Sequence, residues 1–308
     1  MTRKFPSLAI LGGFFVIYVL WGATFLAIKI GDTALPPLVL AALRFVVAGV
    51  ILYAWSWLRR WPQPTMREWG GVALVSIFMF PIGYGVTFWS ETRVPSGVTA
   101  VVLALVPLWV AAMEIWIFRL APVSAKVLGG CVLGVAGVAV LVTGGGGHAA
   151  LPWWPIVALV LAAGAWALGT VLIPRLPMPR AAGTSAAAQM LLGGVMLAAA
   201  AAATGEFTGL HWARALTGPA LWSLAYMIFA ASVLAYAVFV WLLGKVSAVQ
   251  VATYALVNPV VALYLGWGWG GETLTRSGLV GSGIILAALA LVLSRQTQAK
   301  PATIVSQV

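Results

Sequence analysis

Only two ionisable side chains of this sequence lie deep within long apolar stretches, and they are the first candidates for chemistry. Ionisable residues at membrane depth are functional hypotheses by default. Arg44 could recognise a carboxylate or donate hydrogen bonds to backbone carbonyl oxygens. Glu114 could bind a proton, pair with a cation or extend to cytoplasmic water. Arg44 therefore predicts an anion site or a structural contact, and Glu114 is the first candidate for proton coupling.

Aromatic rings, hydroxyl groups and an amide recur near the middle of the apolar stretches. This mixture suits an amphiphilic solute such as an amino acid, because rings pack against its apolar part while polar groups bind its charged ends. Packing between helices is the alternative for each residue alone, and a threonine can also bond its own backbone. The candidates for a solute cavity are Trp21, Thr24, Tyr84, Trp109, Trp166, Thr170, Tyr236, Tyr254 and Asn258.

Prolines occur inside three of the apolar stretches, at Pro81, Pro107 and Pro259. A proline cannot donate a helix hydrogen bond, so each one predicts a bend or a freed carbonyl oxygen at depth. Pro107 and Pro259 occupy corresponding positions of the two halves described below. They are the hinge candidates, with a static kink as the alternative.

Several kinds of catalytic and cofactor site are not predicted. Cys131 is the single cysteine, so a disulfide within the chain and a metal site built of cysteines are excluded. His148 and His211 fall in predicted loops, and no phosphate-binding loop motif occurs. We therefore predict no catalytic residues, no cofactor and no metal, and energy would come from solute or ion gradients.

The elements that must position these residues follow from composition. Of the 308 residues, 63% are hydrophobic and only 7% are charged, whereas soluble domains are about 25% charged. A soluble enzyme, a nucleic-acid binder and a disordered scaffold are thereby excluded. Apolar stretches of about 20 residues span a bilayer, and the sequence predicts an all-α integral membrane protein with ten of them. Their approximate ranges are 7–29, 36–58, 70–91, 96–118, 125–143, 153–174, 181–203, 219–243, 247–269 and 277–294.

The cations predict the orientation, because Lys and Arg in short loops stay cytoplasmic. With the amino terminus inside, twelve cations fall in cytoplasmic segments and four in outer ones. Both termini are therefore predicted to be cytoplasmic. The net charge of +11 needs no nucleic acid to explain it.

A weak internal repeat divides the chain. Residues 41–52 match residues 186–197 at five of twelve positions, and Trp21 matches Trp166 at the same offset of 145. Arg44 then corresponds to Gln189, a residue of similar reach. Each half has five predicted spans, an odd number, so the second half is inverted relative to the first. The predicted units are residues 1–147 and 148–295, followed by a cytoplasmic tail at 296–308, with a cavity between the halves.

The sequence resembles the EamA family of the drug/metabolite transporter superfamily over residues 8–294. The resemblance rests on Trp21 to Phe25, Ala42 to Phe45, Pro107, Asn258-Pro259 and Gly271 to Thr275. It implies ten helices, a central cavity lined by spans 1–4 and 6–9, and a bacterial inner-membrane exporter. One branch of the family exports aromatic amino acids.

Two features depart from the family pattern. Phe118-Arg119-Leu120 stands where the family has a glutamate after span 4, although Glu272 keeps that residue in the second half. Aliphatic residues precede Pro107 where the aromatic exporters carry aromatic ones. An aromatic preference is therefore not assured by the resemblance.

The function predicted from the sequence is a carrier that exports small amino acids or related metabolites by alternating access. Aromatic amino acids are one option, and protons are a possible coupling partner besides the solute and membrane lipid. The alternatives are an exporter of a nucleobase, a sugar or a cationic drug, a passive channel, and an intramembrane enzyme. The last needs a nucleophile or metal constellation at depth, which the sequence does not supply.

Overall fold

The computed structural model describes residues 8–119, 125–143, 152–208, 210, 212–215, 218–246 and 248–296, and these residues form helices and their connections without any strand. Residues 297–308 of the predicted tail, the amino-terminal residues 1–7 and the boundary between the predicted units at 147 and 148 lie outside the described ranges. The α-helices are α1 (Leu8–Gly31), α2 (Pro37–Leu58), α3 (Met66–Ile77), α4 (Val86–Glu91), α5 (Ser96–Leu103), α6 (Val106–Ala112), α7 (Ala125–Thr143), α8 (Trp153–Leu172), α9 (Ala182–Ala203), α10 (Trp212–Ala215), α11 (Gly218–Tyr226), α12 (Ala235–Leu243), α13 (Ala248–Val251), α14 (Tyr254–Gly268) and α15 (Arg276–Gln296).

Seven helical stretches of the described residues are long and apolar enough to cross a membrane. Some of them join several of the helices above into one rod. They are Leu8–Gly31, Pro37–Leu58, Met66–Glu91, Ser96–Ile117, Trp153–Arg175, Ala182–Ala203 and Gly218–Leu243. The remaining three predicted spans coincide with α7, with α13 and α14 together, and with α15. The described residues are thus all helical, with seven helices that could span a membrane, while the count of ten spans and the side of the termini remain predictions.

Helices α2 and α9 pack together at very short range, because glycines face the neighbouring backbone. A Cβ atom added to Gly49 would lie 2.7 Å from the backbone nitrogen of Leu191. One added to Gly194 would lie 2.7 Å from the backbone nitrogen of Val46. Gly49 and Gly194 are matched positions of the sequence repeat. Small residues at helix contacts are the usual means of close packing in lipid, where the hydrophobic effect does not drive association.

The other helix contacts follow a pattern related by the same repeat. Helix α1 packs against α14 and against α11 and α12, while α8 packs against α5 and α6 and against the rod containing α3 and α4. Helices α7 and α15 pack on each other. The first and sixth predicted spans therefore occupy equivalent places between neighbours from the opposite half. This arrangement leaves space between α1 and α8 at the centre.

Three π-helical segments interrupt the rods, π1 (Phe78–Gly85), π2 (Met113–Ile117) and π3 (Met227–Leu234). Such wide turns shift the faces of a helix and are frequent at functional sites. Pro81 lies inside π1 and removes a helix donor there, which agrees with the predicted disturbance. Nothing in the sequence of π3 signals its wide turns.

The two hinge candidates occupy different local structures. A break at Ala104 and Leu105 separates α5 from α6, and Pro107 lies in the first turn of α6, where a missing N–H is tolerated. Pro107 cannot donate to the carbonyl oxygen of Leu103. Pro259 lies inside α14, beyond a break at Ala252 and Thr253 that separates α13 from α14. The role of these prolines as hinges remains a prediction.

Replacing Gly49 with Ala should destabilise the protein, because the added methyl group collides first with the backbone of Leu191, which cannot move aside without shifting a helix. Overpacking of this kind costs about 1–3 kcal/mol. Thermal unfolding in detergent measures the loss. Gly12→Ala is the matched control, since a Cβ at Gly12 meets no atom within 4 Å. Equal midpoints for the two variants would contradict the close packing of α2 on α9.

Candidate functional site

A central cavity lies between the two halves of the chain and encloses about 650 Å³ of empty space, its open mouth included. Its walls come from α1, α2, α5, α6, α8, α14, π1 and the start of α4. Seven of the residues singled out from the sequence line it, namely Trp21, Thr24, Arg44, Tyr84, Trp166, Tyr254 and Asn258. The other lining residues are aromatic, aliphatic or small, apart from Thr87.

Aromatic rings from both halves meet at the centre of the bundle. The ring of Trp21 lies 5.9 Å from that of Trp166 and 5.0 Å from that of Tyr254, both edge to face. Tyr84 packs edge to face on Trp166 at 4.9 Å. Edge-to-face pairs are the preferred geometry of aromatic side chains. The cavity therefore has a rigid aromatic wall to which each half contributes a tryptophan and a tyrosine.

Polar atoms exposed by π3 hold two residues of this wall in place. The indole N–H of Trp21 donates to the carbonyl oxygen of Ala231 at 3.0 Å. The Nε of Arg44 donates to the hydroxyl oxygen of Ser232 at 2.8 Å. Both partners belong to π3, which supplies one backbone acceptor, the carbonyl oxygen of Ala231, and one side-chain acceptor, the hydroxyl of Ser232. These acceptors fix the orientation of one ring and one cation.

Arg44 is completely buried. Its guanidinium carbon lies 4.6 Å from the ring centre of Phe45 and 5.2 Å from that of Tyr84, so the cation packs on aromatic faces. Its two terminal nitrogens, Nη1 and Nη2, have no hydrogen-bond partner among the described residues. The structural alternative raised by the sequence, hydrogen bonding to exposed carbonyl oxygens, is not what these nitrogens do here.

The remaining polar groups of the cavity are partly engaged by the protein. The Thr24 hydroxyl donates to the carbonyl oxygen of Leu20 in its own helix. The amide nitrogen of Asn258, in the orientation that satisfies both of its atoms, donates to the carbonyl oxygens of Tyr18 and Tyr254. The indole N–H of Trp166 interacts with the Tyr254 hydroxyl without forming a hydrogen bond to it.

Several predicted site residues do not line the cavity. The hydroxyl of Tyr236 donates to Oε1 of Gln189 at 2.8 Å, so these two form a buried contact between α12 and α9. The hydroxyl of Thr170 donates to the carbonyl oxygen of Trp166. Trp109 packs beside Gly164. Pro107 and Pro259 are also outside the lining.

Glu114, the predicted proton-coupling residue, lies in π2 away from the cavity lining. It is half-buried and interacts electrostatically with Arg175, whose guanidinium carbon lies 4.7 Å from the ring centre of Phe118. Arg175 also donates to the carbonyl oxygen of Val171. The neighbourhood of Glu114 is therefore a half-buried contact of opposite charges, and its coupling role stays a prediction.

Sequence reasoning missed an acidic cluster at the predicted outer end of the bundle, formed by Asp32, Glu91, Glu206 and Glu272. Glu91 is 5% exposed, and neither of its oxygens has a hydrogen-bond partner among the described residues. It interacts electrostatically with Asp32 and Arg44. Glu91 is the last residue of the predicted span 70–91. Burial by neighbouring helices is not visible in a single span.

Two of these carboxylates join the halves of the chain. Glu272 accepts hydrogen bonds from Nζ of Lys29 and from the backbone and hydroxyl of Ser96, each at 2.8 Å. Burial by itself raises the pKa of Glu272, but the hydrogen bonds from Lys29 and Ser96 and the charge of Lys29 lower it below its ordinary value. Glu206 accepts from the backbone nitrogens of Leu38 and Val39 at the start of α2. Carboxylates are favoured at helix amino termini.

Comparison with known proteins identifies the family. The model of the EamA-like transporter family matches residues 8–143 and 153–294, which together make up most of the chain. The chain belongs to this family. It is accordingly a multi-pass inner-membrane transporter for a small-molecule solute.

Named relatives of this EamA-like transporter have similar lengths. The uncharacterized inner membrane transporter YedA of Escherichia coli strain K12 is 35% identical over 288 residues, which cover 92% of this chain and 90% of the relative. A Salmonella typhimurium protein named probable amino-acid metabolite efflux pump is 28% identical over 298 residues, 94% of each chain. A solved crystal structure shares the fold, with a TM-score of 0.65 at 19% identity, and covers 92% of this chain and 96% of its own.

Asp32 should make stability depend on pH. Burial, and then the negative charge of Glu206, raise the pKa of Asp32 from 3.8 to about 8 in the folded protein. Between these values the folded state binds more protons than the unfolded state, so stability falls as pH rises from about 4 to about 8. We expect Asp32→Asn to flatten this decline.

Thermal unfolding in detergent across this pH range measures the effect. Glu68→Gln is the control, because Glu68 belongs to a capping box at the start of α3 and Gln is compatible with that motif. An Asp32→Asn profile parallel to that of the unmodified protein would show that Asp32 is not protonated in the folded state.

Proposed function

We propose that this transporter exports small amino acids or related metabolites through the central cavity by alternating access. The observation that carries the proposal is the composition of the cavity walls. Trp21 and Tyr84 of the first half face the same space as Trp166 and Tyr254 of the second. A solute bound there contacts both halves, so a rocking motion of one half on the other would carry it from one side of the membrane to the other.

The lining of the cavity supports an amphiphilic solute. Aromatic and aliphatic side chains form most of the wall and suit an apolar body, while Arg44, Asn258 and Thr24 are the polar groups. A cationic drug is disfavoured, because the charged side chain among the lining residues is positive. The name of the Salmonella relative supports amino-acid metabolites as the class.

Helix packing supports two inverted halves of five spans. The equivalent surroundings of α1 and α8, and the matched glycines between α2 and α9, are those expected of an inverted repeat. The proposal includes ten spans, cytoplasmic termini and the units 1–147 and 148–295. Pro107 and Pro259 are the proposed hinges, and Glu114 is retained as a candidate for proton coupling.

Polar contacts at the predicted outer end offer a gate that can open. Lys29 and Ser96 of the first half meet Glu272 of the second, and the start of α2 meets Glu206. Hydrogen bonds of this kind exchange readily with water when the ends separate, whereas an interlocked apolar contact would expose apolar surface. We propose that these contacts break when the cavity opens outward.

Counterflow in proteoliposomes tests the proposed function. Liposomes preloaded with each of the twenty amino acids, a nucleobase, a sugar or a cation are supplied with the same solute in labelled form. We expect saturable counterflow for a subset of amino acids, because only a carrier exchanges solute without an open path. Unsaturable flux that an opposing solute does not accelerate would indicate a pore. Exchange confined to nucleobases, sugars or cations would overturn the amino-acid class.

Trp166→Phe tests whether the cavity is the transport site. Loss of the indole ring should raise the half-saturation concentration for counterflow about tenfold, which corresponds to about 1.4 kcal/mol of lost contact. Trp109→Phe is the matched control, since Trp109 is a half-buried tryptophan outside the cavity lining. Equal half-saturation concentrations in both variants would place the solute elsewhere.

A further inference from the structure

We propose that the cavity binds its solute by a carboxylate group, at an anion site formed by Nη1 and Nη2 of Arg44 with the indole N–H of Trp166 as a further donor. The inference rests on the proposed function, because it takes the cavity as the transport site. It narrows the solute to organic monocarboxylates with an apolar body, of which amino acids are one kind.

The hydrogen-bonding capacity of Arg44 exceeds what the protein satisfies. A guanidinium group has five N–H donors. Only Nε is engaged, by the hydroxyl of Ser232. The rings of Phe45, Tyr84 and Phe88 pack against the cation at 4.6–5.9 Å but form no hydrogen bond with its terminal nitrogens. The terminal nitrogens are therefore the unsatisfied edge of a group that lines the cavity.

Burial of these unpartnered nitrogens costs free energy. A fully buried charge without a partner is strongly unfavourable unless an opposite charge or good acceptors approach it. No described carboxylate lies within 4.0 Å of Arg44, and no acidic residue is among the cavity-lining residues. A bound anion would supply both the missing charge and the missing acceptors.

The number and type of donors select the kind of anion. Arginine binds carboxylates through two parallel hydrogen bonds, a geometry that its planar fork matches. Trp166 adds an indole N–H that lies near the Tyr254 hydroxyl but forms no hydrogen bond with any described residue. One cation balances one negative charge, so a doubly charged phosphate would be left partly uncompensated. The surrounding rings of Trp21 and Tyr254 then contact the apolar body of the solute.

Glu91 provides the competing explanation. It is buried, unpartnered among the described residues and electrostatically coupled to Arg44 and Lys29. Arg44 would then serve as an internal counter-charge without any solute. The two explanations differ in what they predict when Arg44 and Glu91 are both made neutral. Carboxylate binding is then lost if Arg44 forms the anion site, whereas an internal pair of charges makes no contribution to solute binding.

Binding of matched probes to the detergent-purified, full-length protein tests the proposal. The probes are isocaproate and phenylpropionate, which carry a carboxylate, and isoamylamine and phenethylamine, which share their apolar bodies but carry an amine. We expect calorimetry to show at least tenfold tighter binding of each carboxylate than of its matched amine. Equal or tighter binding of the amines would overturn the proposal.

Variants at Arg44 then locate the site. Arg44→Gln copies Gln189, its counterpart in the repeat, and should weaken carboxylate binding at least tenfold. Arg44→Lys keeps the positive charge but loses the planar pair of terminal nitrogens. Its affinity for the carboxylates should therefore lie between those of the unmodified protein and Arg44→Gln. Arg93→Gln is the control, since Arg93 also packs on a tryptophan, at 4.3 Å, but lies outside the cavity. Unchanged carboxylate binding in Arg44→Gln would overturn the proposal.

The double variant Arg44→Gln with Glu91→Gln covers the case in which Arg44→Gln alone does not fold. It removes both buried charges together, so charge imbalance no longer opposes folding. We expect it to fold and to lack carboxylate binding, whereas retained binding would overturn the anion site. Carboxylate binding without counterflow would refute the carrier and keep the anion site. Counterflow of amines that is unaffected in Arg44→Gln would refute the anion site and keep the carrier.

Discussion

A polar group surrounded by hydrocarbon and packed side chains has no water to bind, so it must find a partner within the protein or in a ligand. The structure meets this requirement at the indole of Trp21 and at the Nε of Arg44, both of which use acceptors in the π3 segment. At the terminal nitrogens of Arg44, no described residue meets the requirement. The proposed carboxylate site, and with it the proposed class of solute, depends on these two nitrogens.

The surrounding fold positions the residues that line the cavity. Gly49 and Gly194 bring α2 and α9 into backbone contact, which fixes the helix that carries Arg44. Tyr84 of π1 packs on Trp166, and Ser232 of π3 accepts the hydrogen bond of Arg44. At the predicted outer end, Glu206 and Glu272 join the halves through polar contacts. Close apolar packing thus holds α2 against α9, while the contacts at the predicted outer end are polar and can break.

The sequence predicts a large part of this architecture. Length and apolarity locate the membrane-spanning helices, and the matched tryptophans at 21 and 166 indicate a shared centre, where the structure places both rings. Trp109 and Tyr236 show the limit of such reasoning. A helix that is apolar on every side does not reveal which face turns inward, so depth alone could not separate them from Tyr84 and Tyr254. The π3 segment contains no proline, so its wide turns could not be predicted from the sequence. The burial of Glu91 arises from neighbouring helices and not from its own span.

The most direct measurement is an experimental density map of the protein with isocaproate bound. The account predicts density for the probe in the central cavity, with its carboxylate oxygens within about 3.2 Å of Nη1 and Nη2 of Arg44, and with its apolar chain against Trp21 and Tyr254. A map in which those nitrogens pair with Glu91 or with backbone carbonyl oxygens, while the probe occupies another part of the protein, would contradict it.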